Sequence, residues 1–420
     1  MSFDLTEEEL LAAATREAWL DPDRYWRSIH DAVREHSGPV VALSLPALTR
    51  NAHDLTRRAG GIPIRVASKS VRSRAVLDAV LGLPGYRGVL AYSLPEALWL
   101  AQGETGVDDV VVAYPSVDRA ALARLATSED LAARVTVMID DPRQLDLIDE
   151  VVRPHNRARL RVCIDLDCSW KSPLLGHIGV HRSPVHDPEQ AEWLAAHIAG
   201  RAGFTLVGVM AYEAQIAGVA DRPAGKPAAG ALMRAVQRAS GSELAERRAE
   251  AIARVRGVTE LEFVNGGGTG SVERTAAEAA VTEVAAGSGL YGPHIFDRYE
   301  AFDVAPAVGF GLDVVRKSSP DRATLFGGGW IASGPTAPDR SPLPVWPAGL
   351  SYEPREGAGE VQTPLRGAAA RSLEVGDRVW LRHAKAGEIM EHVTHIVPIS
   401  AADQALEPIT TYRGEGQCFL

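Results

Sequence analysis

Short apolar runs alternate with amphipathic stretches from about residue 39 to residue 290. The runs are rich in β-branched side chains, and stretches such as 94–102 and 141–152 have the apolar spacing of helices that pack on one face. Apolar strands that alternate with helices predict a parallel sheet buried on both faces. The predicted strands occupy residues 39–44, 63–67, 88–92, 109–113, 134–139, 159–167, 204–212, 260–264 and 282–287.

The number of predicted strands favours a closed barrel. When the first strand, 39–44, is set apart, eight strands remain, which is the number that closes a (β/α)8 barrel of about 250 residues. We therefore expect an α/β fold with a barrel of the TIM type. A doubly wound open sheet is the alternative, because strand number separates the two architectures only weakly.

The pattern changes after residue 300. Strand-like runs at 307–318, 322–330, 378–384 and 393–400 follow one another without helices between them. The segment 333–367 is rich in proline and glycine and predicts one long loop, which at that length is usually functional or mobile. These features indicate a smaller β domain.

The N-terminal residues have the pattern of an amphipathic helix. Thr6 followed by Glu9 predicts a capping box at its start. The sequence thus predicts an N-terminal helical arm at 1–35, a barrel at 36–300 and a β domain at 301–420.

Composition and charge exclude several classes of partner. The net charge is −10 and the pI is near 5.7, so we expect no nucleic-acid partner. No apolar run reaches the roughly 20 residues that span a bilayer, and the N-terminus lacks the pattern of a signal peptide. The three cysteines are too few for a disulfide framework. These features predict a soluble, cytoplasmic protein without a membrane partner.

Chemically capable residues follow several of the predicted strands. Active sites of (β/α)8 barrels lie at the carboxyl ends of the strands, where loops and side chains meet. Lys69 follows the strand 63–67, and Tyr212 ends the strand 204–212. The glycine-rich stretches 265–271 and 287–292 follow the last two strands.

The glycine-rich stretch 265–271 predicts a phosphate site. Glycines leave main-chain N–H groups unobstructed, and Thr269 and Ser271 add hydroxyl donors. Barrels often bind phosphate with the loops after their last two strands. A tight strand-to-helix turn is the alternative for either loop alone. A lysine at the same edge as two such loops is typical of a pyridoxal phosphate site, since an amine can hold that cofactor as an imine.

The chain resembles the fold-type III pyridoxal phosphate enzymes, a group that includes alanine racemase, D-threonine aldolase and D-serine dehydratase. The resemblance covers most of the chain and is closest to the amino-acid deaminase/aldolase branch. The motifs that carry it occur in order along the chain: VALSLPALTRN, IRVASKS, VGVMAYEAQ, VNGGGTGS, TEVAAGSGLYG, RVWLRHAKAGE and YRGEGQCFL.

The resemblance implies roles for particular residues. Lys69 would hold the cofactor as a Schiff base and act as a base at the substrate's Cα, while Tyr212 would lie beside the cofactor ring. His177 and Arg182 lie where relatives often carry an arginine near the phenolic oxygen of the cofactor. The residues that would line the phosphate pocket are Gly267, Gly268, Thr269, Gly287 and Ser288, with Tyr291 nearby. The resemblance also implies a homodimer in which the β domain of a second subunit completes the active site.

Two positions depart from the family pattern. Racemase-like members place an arginine beside the pyridine nitrogen, where this chain has Ala285. Members of the aldolase and dehydratase branch bind a divalent metal with His-x-Cys or His-x-Asp, and here the pair reads His383-Ala-Lys385. Because an ammonium group cannot bind a cation, the metal is not carried over by the resemblance. His383 would be its remaining ligand if one binds.

The function predicted is a pyridoxal phosphate-dependent lyase, either an aldolase or a dehydratase, for a small β-hydroxy-α-amino acid of D configuration. In this hypothesis Lys385 replaces the metal at the substrate's β-oxygen, with His383 as general acid or base. The alternatives are a racemase or epimerase, a pyridoxal phosphate-binding protein without turnover, and a barrel that binds a phosphorylated substrate without the cofactor.

Overall fold

The computed structural model describes residues 3–104 and 106–420, which form two compact units interleaved along the chain. The sheet unit consists of the chain up to Asp54 together with Lys69–Leu83 and Gly287–Cys418. The barrel unit consists of Leu55–Ser68, Pro84–Ala286 and Phe419–Leu420. The predicted boundaries at residues 35 and 300 are single points along the chain, whereas the chain passes between these units several times.

The strands in the described residues are β1 (Val40–Ser44), β2 (Ile64–Ala67), β3 (Tyr86–Ala91), β4 (Val110–Val112), β5 (Val135–Ile139), β6 (Leu160–Asp165), β7 (Trp170–Ser172), β8 (Gly176–Ile178), β9 (Phe204–Ala211), β10 (Phe263–Gly266), β11 (Glu283–Ala286), β12 (Val308–Ser319), β13 (Arg322–Phe326), β14 (Leu343–Trp346), β15 (Ser351–Tyr352), β16 (Gln362–Arg366), β17 (Arg378–Arg382), β18 (His395–Ile399) and β19 (Ile409–Thr410).

The α-helices in the same part of the chain are α1 (Glu8–Thr15), α2 (Pro22–Ala32), α3 (Leu45–Arg58), α4 (Arg74–Leu81), α5 (Leu94–Leu100), α6 (Arg119–Ala126), α7 (Glu129–Arg134), α8 (Pro142–Val151), α9 (Pro188–Ala199), α10 (Ala214–Ala217), α11 (Pro227–Val258), α12 (Val272–Ala276) and α13 (Ser288–Tyr291). Among the described residues, no helix combines the length and the apolar character that crossing a membrane requires.

A closed parallel barrel forms the centre of the barrel unit, as the alternating pattern predicts. Its strands in the described residues follow the order β10-β11-β2-β3-β4-β5-β6-β9. Apolar side chains from alternate strand positions fill its interior, including Val111, Met138, Cys163 and Phe263. The prediction of a (β/α)8 barrel is therefore confirmed, and the open doubly wound sheet is wrong.

The barrel interior also holds a buried ion cluster centred on Arg65. The guanidinium donates to Glu283 at 2.7 and 2.9 Å and to Asp109 at 2.9 Å, and Arg65 is only 1% exposed. Its charged plane lies 5.2 Å from the centre of the Phe263 ring. Because the arginine and both carboxylates are hydrogen-bonded, the cluster compensates the cost of burying the charge.

The sheet unit is built on a nine-stranded sheet with the order β15-β16-β13-β12-β1-β18-β19, in which β17 pairs with β12 and β14. β1 runs antiparallel to β12 and parallel to β18. The strand set apart in the sequence thus lies outside the barrel. It pairs with strands that are more than 250 residues away along the chain, which explains why its partners are invisible in the local pattern.

The N-terminal arm is helical, but the predicted capping box is wrong. Thr6 donates its hydroxyl to Asp4 at 2.7 Å, and α1 begins at Glu8 without a side-chain cap. α2 packs through Trp26, whose ring stacks on Trp380 with 5.9 Å between the ring centres.

Candidate active site

Lys69 lies in a short 3-10 turn, Ser68–Ser70, directly after β2. The two flanking serines are buried and Lys69 is exposed. Ser68 donates its hydroxyl to the main-chain oxygen of Leu90 on the neighbouring strand β3, at 3.2 Å. The turn that carries the amine is therefore anchored to the barrel on the side of Ser68.

Three adjacent barrel strands lead to the predicted site residues. β2 pairs with β11, and β11 pairs with β10, all in parallel. Lys69 follows the first of these strands, Ser288 the second and Gly267 the third. Because the carboxyl ends of parallel strands share one edge, the barrel topology sends these three segments out at the same edge.

The glycine loop after β10 is held by the carboxylate of Glu213, which is 1% exposed. One of its oxygens accepts from the N–H of Gly267 at 3.2 Å and from Arg248 at 2.9 Å. The other accepts from Ser271 at 2.7 Å and from Thr275. A single buried carboxylate thus fixes both ends of the loop.

Two main-chain N–H groups of the glycine loop already have hydrogen-bond acceptors within the protein. The N–H of Gly267 is donated to Glu213, and the N–H of Gly268 is donated to Ser271 at 3.2 Å. Both amides are therefore engaged inside the protein.

The loop packs closely against Tyr212. A Cβ at Gly268 would lie 3.0 Å from the Tyr212 ring and from Ala217, so only glycine fits without displacement. Gly267 has a φ of +81°, a left-handed conformation that favours glycine. Burial, with the nearby Glu213 charge, raises the pKa of Tyr212 to about 12, so its hydroxyl is protonated at neutral pH. Arg58 donates to the main-chain oxygen of Thr269 at 2.6 Å and fixes the middle of the loop.

The second loop, after β11, leads directly into the short helix α13. Gly287 precedes this helix and is buried, and Ser288 is its first residue. Tyr291 is fully buried, and its hydroxyl donates to the main-chain oxygen of Val71 at 2.9 Å. Tyr291 therefore holds the segment that follows Lys69, a contact that the sequence does not show.

His177 lies on the β7–β8 hairpin and is exposed. Its ring stacks on His181 with 3.8 Å between the ring centres. Arg182, the alternative contact in that region, places its guanidinium 5.9 Å from the centre of the Tyr114 ring. The ring contact of His177 is thus with a residue just past its own hairpin.

Asp165 ends β6, two residues after the interior side chain of Cys163, and so shares its face of the strand. Burial, together with the neighbouring Asp140, raises the pKa of Asp165 to about 7. Asp167 behaves differently, because hydrogen bonds from Ser169 and His186 outweigh its burial and lower its pKa. The pKa values of Asp165 and Asp167 are therefore shifted in opposite directions from the ordinary value of an aspartate.

His383 follows β17 and is 3% exposed. Within the described part of the chain, neither of its ring nitrogens has a hydrogen-bond partner. Burial, assisted by the positive charge of Arg382, lowers the pKa of His383 to about 3. The ring is therefore neutral at physiological pH, which disfavours the expected role of His383 as a general acid.

Lys385 points its ammonium group at Ser333, in the loop between β13 and β14. The Nζ atom donates to the main-chain oxygen of Ser333 at 3.2 Å and to its hydroxyl at 3.1 Å. The carboxylate of Glu388 accepts from the N–H of the same serine at 3.1 Å. The two charged side chains thus hold one point of the loop between β13 and β14. The single long loop expected over 333–367 is wrong, because that segment contains β14, β15 and β16.

The described residues do not provide a metal site around His383. No three side chains of histidine, cysteine, aspartate or glutamate lie close enough to share an ion within residues 3–104 and 106–420. His392 stacks on Trp330 with 5.0 Å between ring centres, and Glu388 is bonded to Ser333. The described side chains around His383 therefore do not fit a divalent metal ion.

The segment that contains His383 and Lys385 reaches Lys69. Gly387 packs on the main chain of Lys69 so closely that a Cβ at Gly387 would overlap the Lys69 oxygen and lie 2.8 Å from its carbonyl carbon. Lys69 and the His383–Gly387 segment are more than 300 residues apart in sequence. Their contact within the sheet unit unites two motifs that the sequence shows only separately.

Comparisons with known proteins agree with this fold. Residues 43–294 match the family model described as alanine racemase, N-terminal domain. The chain is 29% identical over 236 residues to 3-hydroxy-D-aspartate aldolase from Paracoccus denitrificans, which covers 56% of this chain and 54% of that protein. The chain thus spans about half the length of this curated relative.

Solved structures show the same architecture over most of the chain. D-threonine aldolase from Filomicrobium marinum matches with a TM-score of 0.74 and 20% identity, covering 91% of this chain and 96% of the other. D-threo-3-hydroxyaspartate dehydratase from Delftia sp. HT23 matches with a TM-score of 0.67 and 18% identity, covering 89% and 97%. At these identities the likeness establishes the fold.

The class defined by these observations is a parallel barrel combined with a separate sheet unit. Since the family model matches more than half of the residues, the chain belongs to the alanine racemase N-terminal domain family.

Proposed function

We propose that the protein is a pyridoxal phosphate-dependent lyase for a small β-hydroxy-α-amino acid of D configuration. The observation that carries the proposal is the position of Lys69, which follows a barrel strand beside the glycine-loop strands and contacts the His383–Gly387 segment. The relatives named as aldolases and a dehydratase of D-hydroxy amino acids support this reaction class.

The residues of the site fit pyridoxal phosphate. Lys69 offers an exposed amine, and Tyr212 presents a ring packed on a glycine that leaves no room for a side chain. Lys69 would hold the cofactor by its amine, with Tyr212 beside the ring. The phosphate would be bound by Thr269, Gly287 and Ser288, with Gly267 and Gly268 shaping the loop. Bound pyridoxal phosphate supplies an electron-withdrawing ring that stabilises negative charge at the substrate's Cα.

Lys69 would transfer the proton at the substrate's Cα, and Lys385 and His383 would bind the substrate's β-oxygen. The amine of Lys69 would move a proton at the substrate's Cα. The ammonium of Lys385 would donate a hydrogen bond to the β-oxygen, in place of a metal ion, and the neutral ring of His383 would accept one from the β-hydroxyl. In an aldol cleavage that hydroxyl would pass its proton to the His383 ring as the Cα–Cβ bond breaks. In a dehydration the Cβ–O bond would break instead, and the hydroxyl would take a proton from the Lys385 ammonium and leave as water.

The proposal also covers the oligomeric state of the protein and its location in the cell. Apolar side chains are exposed on the sheet unit at Phe326, Ile331 and Val361, between 51% and 56%, and support contact with a second copy. We propose a cytoplasmic homodimer in which the second copy completes the active site. Sedimentation of the purified protein over a range of concentrations tests the dimer, and a monomer at every concentration would refute it.

A substrate panel in deuterated water tests the reaction class. The panel consists of D- and L-serine, threonine, alanine and 3-hydroxyaspartate, incubated with the cofactor-loaded protein. We expect either glycine with an aldehyde or a keto acid with ammonia, from the D-hydroxy amino acids only. Deuterium at Cα without bond cleavage would indicate a racemase and refute the lyase.

A matched pair of variants tests Lys385. In Lys385→Met the ammonium is lost, while Lys317→Met removes another ammonium of the sheet unit, one that donates to the main-chain oxygens of Ala370 and Leu373. We expect kcat to fall roughly 100-fold in the first variant only, as for loss of one charge-stabilising donor. Unchanged kcat in Lys385→Met, or a stoichiometric divalent ion in the active protein, would refute this role.

A further inference from the structure

The main chain of Lys69 is part of a closed ring of contacts within the sheet unit. The Nε of Arg72 donates to the Lys69 oxygen at 3.0 Å, and a terminal nitrogen of Arg72 pairs with Glu391 at 2.6 Å. Glu391 ends the 3-10 helix Glu388–Glu391, and Gly387 directly precedes that helix. Since Gly387 packs on the Lys69 peptide, the contacts lead from Lys69 through Arg72, Glu391 and Gly387 back to Lys69.

The backbone at two points of this ring is unusual. Arg72 has a φ of +52°, a left-handed conformation that a residue with a side chain adopts only where its surroundings hold it. Gly387 has a φ of +88°, which favours glycine. The ring thus contains one residue with a side chain in a strained backbone conformation, Arg72, and one position that favours glycine, Gly387.

The residues just after Lys69 are held by the same unit. The main-chain oxygen of Val71 accepts from Tyr291, and that of Arg72 accepts from the N–H of Tyr412 at 2.9 Å. The hydroxyl of Ser73 donates to the main-chain oxygen of Thr410 at 2.9 Å. Every residue from Lys69 to Ser73 except Ser70 thus has a described contact with a distant part of the sheet unit.

We propose that Arg72, Glu391 and Gly387 are positioning residues that fix the direction of the Lys69 side chain. Lysine has a long, flexible side chain, and a fixed peptide restricts its first bond. A restricted amine loses less conformational freedom when it bonds to a cofactor, so the C-terminal segment raises the affinity for pyridoxal phosphate. This inference rests on the proposed function, in which Lys69 holds that cofactor.

Two ion pairs formed by arginines shortly after Lys69 provide a matched test. Glu391 pairs with Arg72 inside the ring, and Glu415 pairs with Arg74 two residues further along, outside it. The two carboxylates are similarly shielded, at 27% and 16% exposure. Glu391→Ala and Glu415→Ala therefore remove comparable charges, but only the first opens the ring.

The dissociation constant of pyridoxal phosphate is measured for both variants by absorbance titration. We expect it to rise roughly tenfold in Glu391→Ala, as for loss of one charge-assisted hydrogen bond, and less than twofold in Glu415→Ala. Melting temperatures of the two cofactor-free variants show whether their stability losses match. Equal cofactor affinities in the two variants would overturn the proposal.

A glycine pair gives a second test. Gly387→Ala forces a Cβ onto the Lys69 oxygen, whereas a Cβ at Gly376, which has a φ of +100°, meets nothing within 4 Å. Both substitutions strain a left-handed residue, but only the first displaces Lys69. We expect weaker cofactor binding in Gly387→Ala alone. If Gly387→Ala does not fold, the Glu391 and Glu415 pair decides the question.

Amine labelling separates a failure of this inference from a failure of the proposed function. The chain has five lysines, so the labelling rates of Lys69 and Lys226 can be compared by mass spectrometry in the cofactor-free protein. We expect the ratio of the two rates to change in Glu391→Ala and not in Glu415→Ala. If the unmodified protein binds no pyridoxal phosphate, the proposed function fails, whereas an unchanged labelling ratio overturns the positioning role.

Discussion

The carboxylate of Glu213 organises the glycine loop from a position that the sequence shows only as the residue after Tyr212. It accepts four hydrogen bonds in the buried interior, from Arg248, Gly267, Ser271 and Thr275. Arg248 is completely buried and has a second carboxylate partner, Glu278, at 2.7 Å. Glu213 therefore links the charge balance of the core to the shape of the loop.

Replacement of Glu213 tests this link. In Glu213→Gln one side-chain oxygen becomes a donor, which leaves Arg248 or the N–H of Gly267 unpaired. We expect the free energy of unfolding to fall by roughly 2–4 kcal/mol, measured by urea denaturation, and the affinity for pyridoxal phosphate to fall as well. Glu278→Gln serves as the control, because it also weakens the pairing of Arg248 but does not touch the loop. Equal cofactor affinity in the two variants would contradict the account.

Burial and the neighbouring Asp140 strongly raise the pKa of the Asp165 carboxyl at the barrel edge. Its pKa of about 7 in the folded protein lies well above the value near 3.8 that it has in the unfolded chain. Between these two pH values the folded state binds the proton and the unfolded state does not. The free energy of unfolding contributed by this group therefore falls as the pH rises from about 4 to 7.

Asp165→Asn removes that dependence while keeping the side-chain shape. We expect the variant to gain about 2 kcal/mol of stability relative to the native protein between pH 5 and pH 8, with little further change above pH 8. Urea denaturation at a series of pH values measures the difference. A stability difference that is independent of pH would show that Asp165 titrates normally.

At the scale of elements, the glycine-rich loop after β10 is the clearest case of a sequence motif that packs against a predicted site residue. Gly268 packs on the Tyr212 ring, and a Cβ there would be 3.0 Å from that ring and from Ala217. The methyl group of an alanine would have to displace one of them by a few tenths of an ångström. The loop and the tyrosine therefore share one packing arrangement.

Gly268→Ala tests the packing of this element. We expect a loss of about 1 kcal/mol in the free energy of unfolding and a several-fold weaker affinity for pyridoxal phosphate, as Tyr212 shifts. The control is Gly257→Ala in α11, where a Cβ meets nothing within 4 Å and alanine should stabilise the helix by up to about 1 kcal/mol. Unchanged cofactor binding in Gly268→Ala would separate Tyr212 from the cofactor site.

The barrel strands could be predicted from the sequence because their signal is local. Each apolar run between helices has strand character on its own, and the observed bounds of β2 and β9 differ by one residue from those predicted. The capping box at Thr6 was equally local but wrong, because Asp4 accepts from Thr6 and competes with the helix for that side chain.

Contacts between distant segments could not be predicted in this way. The position of Lys69 after a barrel strand is visible in the sequence, but the ring through Arg72, Glu391 and Gly387 joins residues more than 300 positions apart. The sequence alone places Arg65 in a strand, whereas its partners are Asp109, directly before β4, and Glu283 on β11. Such partners follow from the fold and not from spacing along the chain.

At the scale of the whole molecule, two segments that the sequence predicts to contact the cofactor begin where the chain passes from the barrel unit into the sheet unit. It enters the sheet unit at Lys69, one residue after Ser68, and again at Gly287, directly after β11. Both crossings coincide with segments for which the sequence predicts cofactor contacts.

The central claim is that Lys69 holds pyridoxal phosphate as a Schiff base. The most direct measurement is borohydride reduction of the protein incubated with pyridoxal phosphate, followed by digestion and mass spectrometry of the peptides that contain its five lysines. The account predicts one reduced adduct per chain, on Lys69, and none in Lys69→Arg. An adduct on another lysine, or no adduct at saturating cofactor, would contradict it.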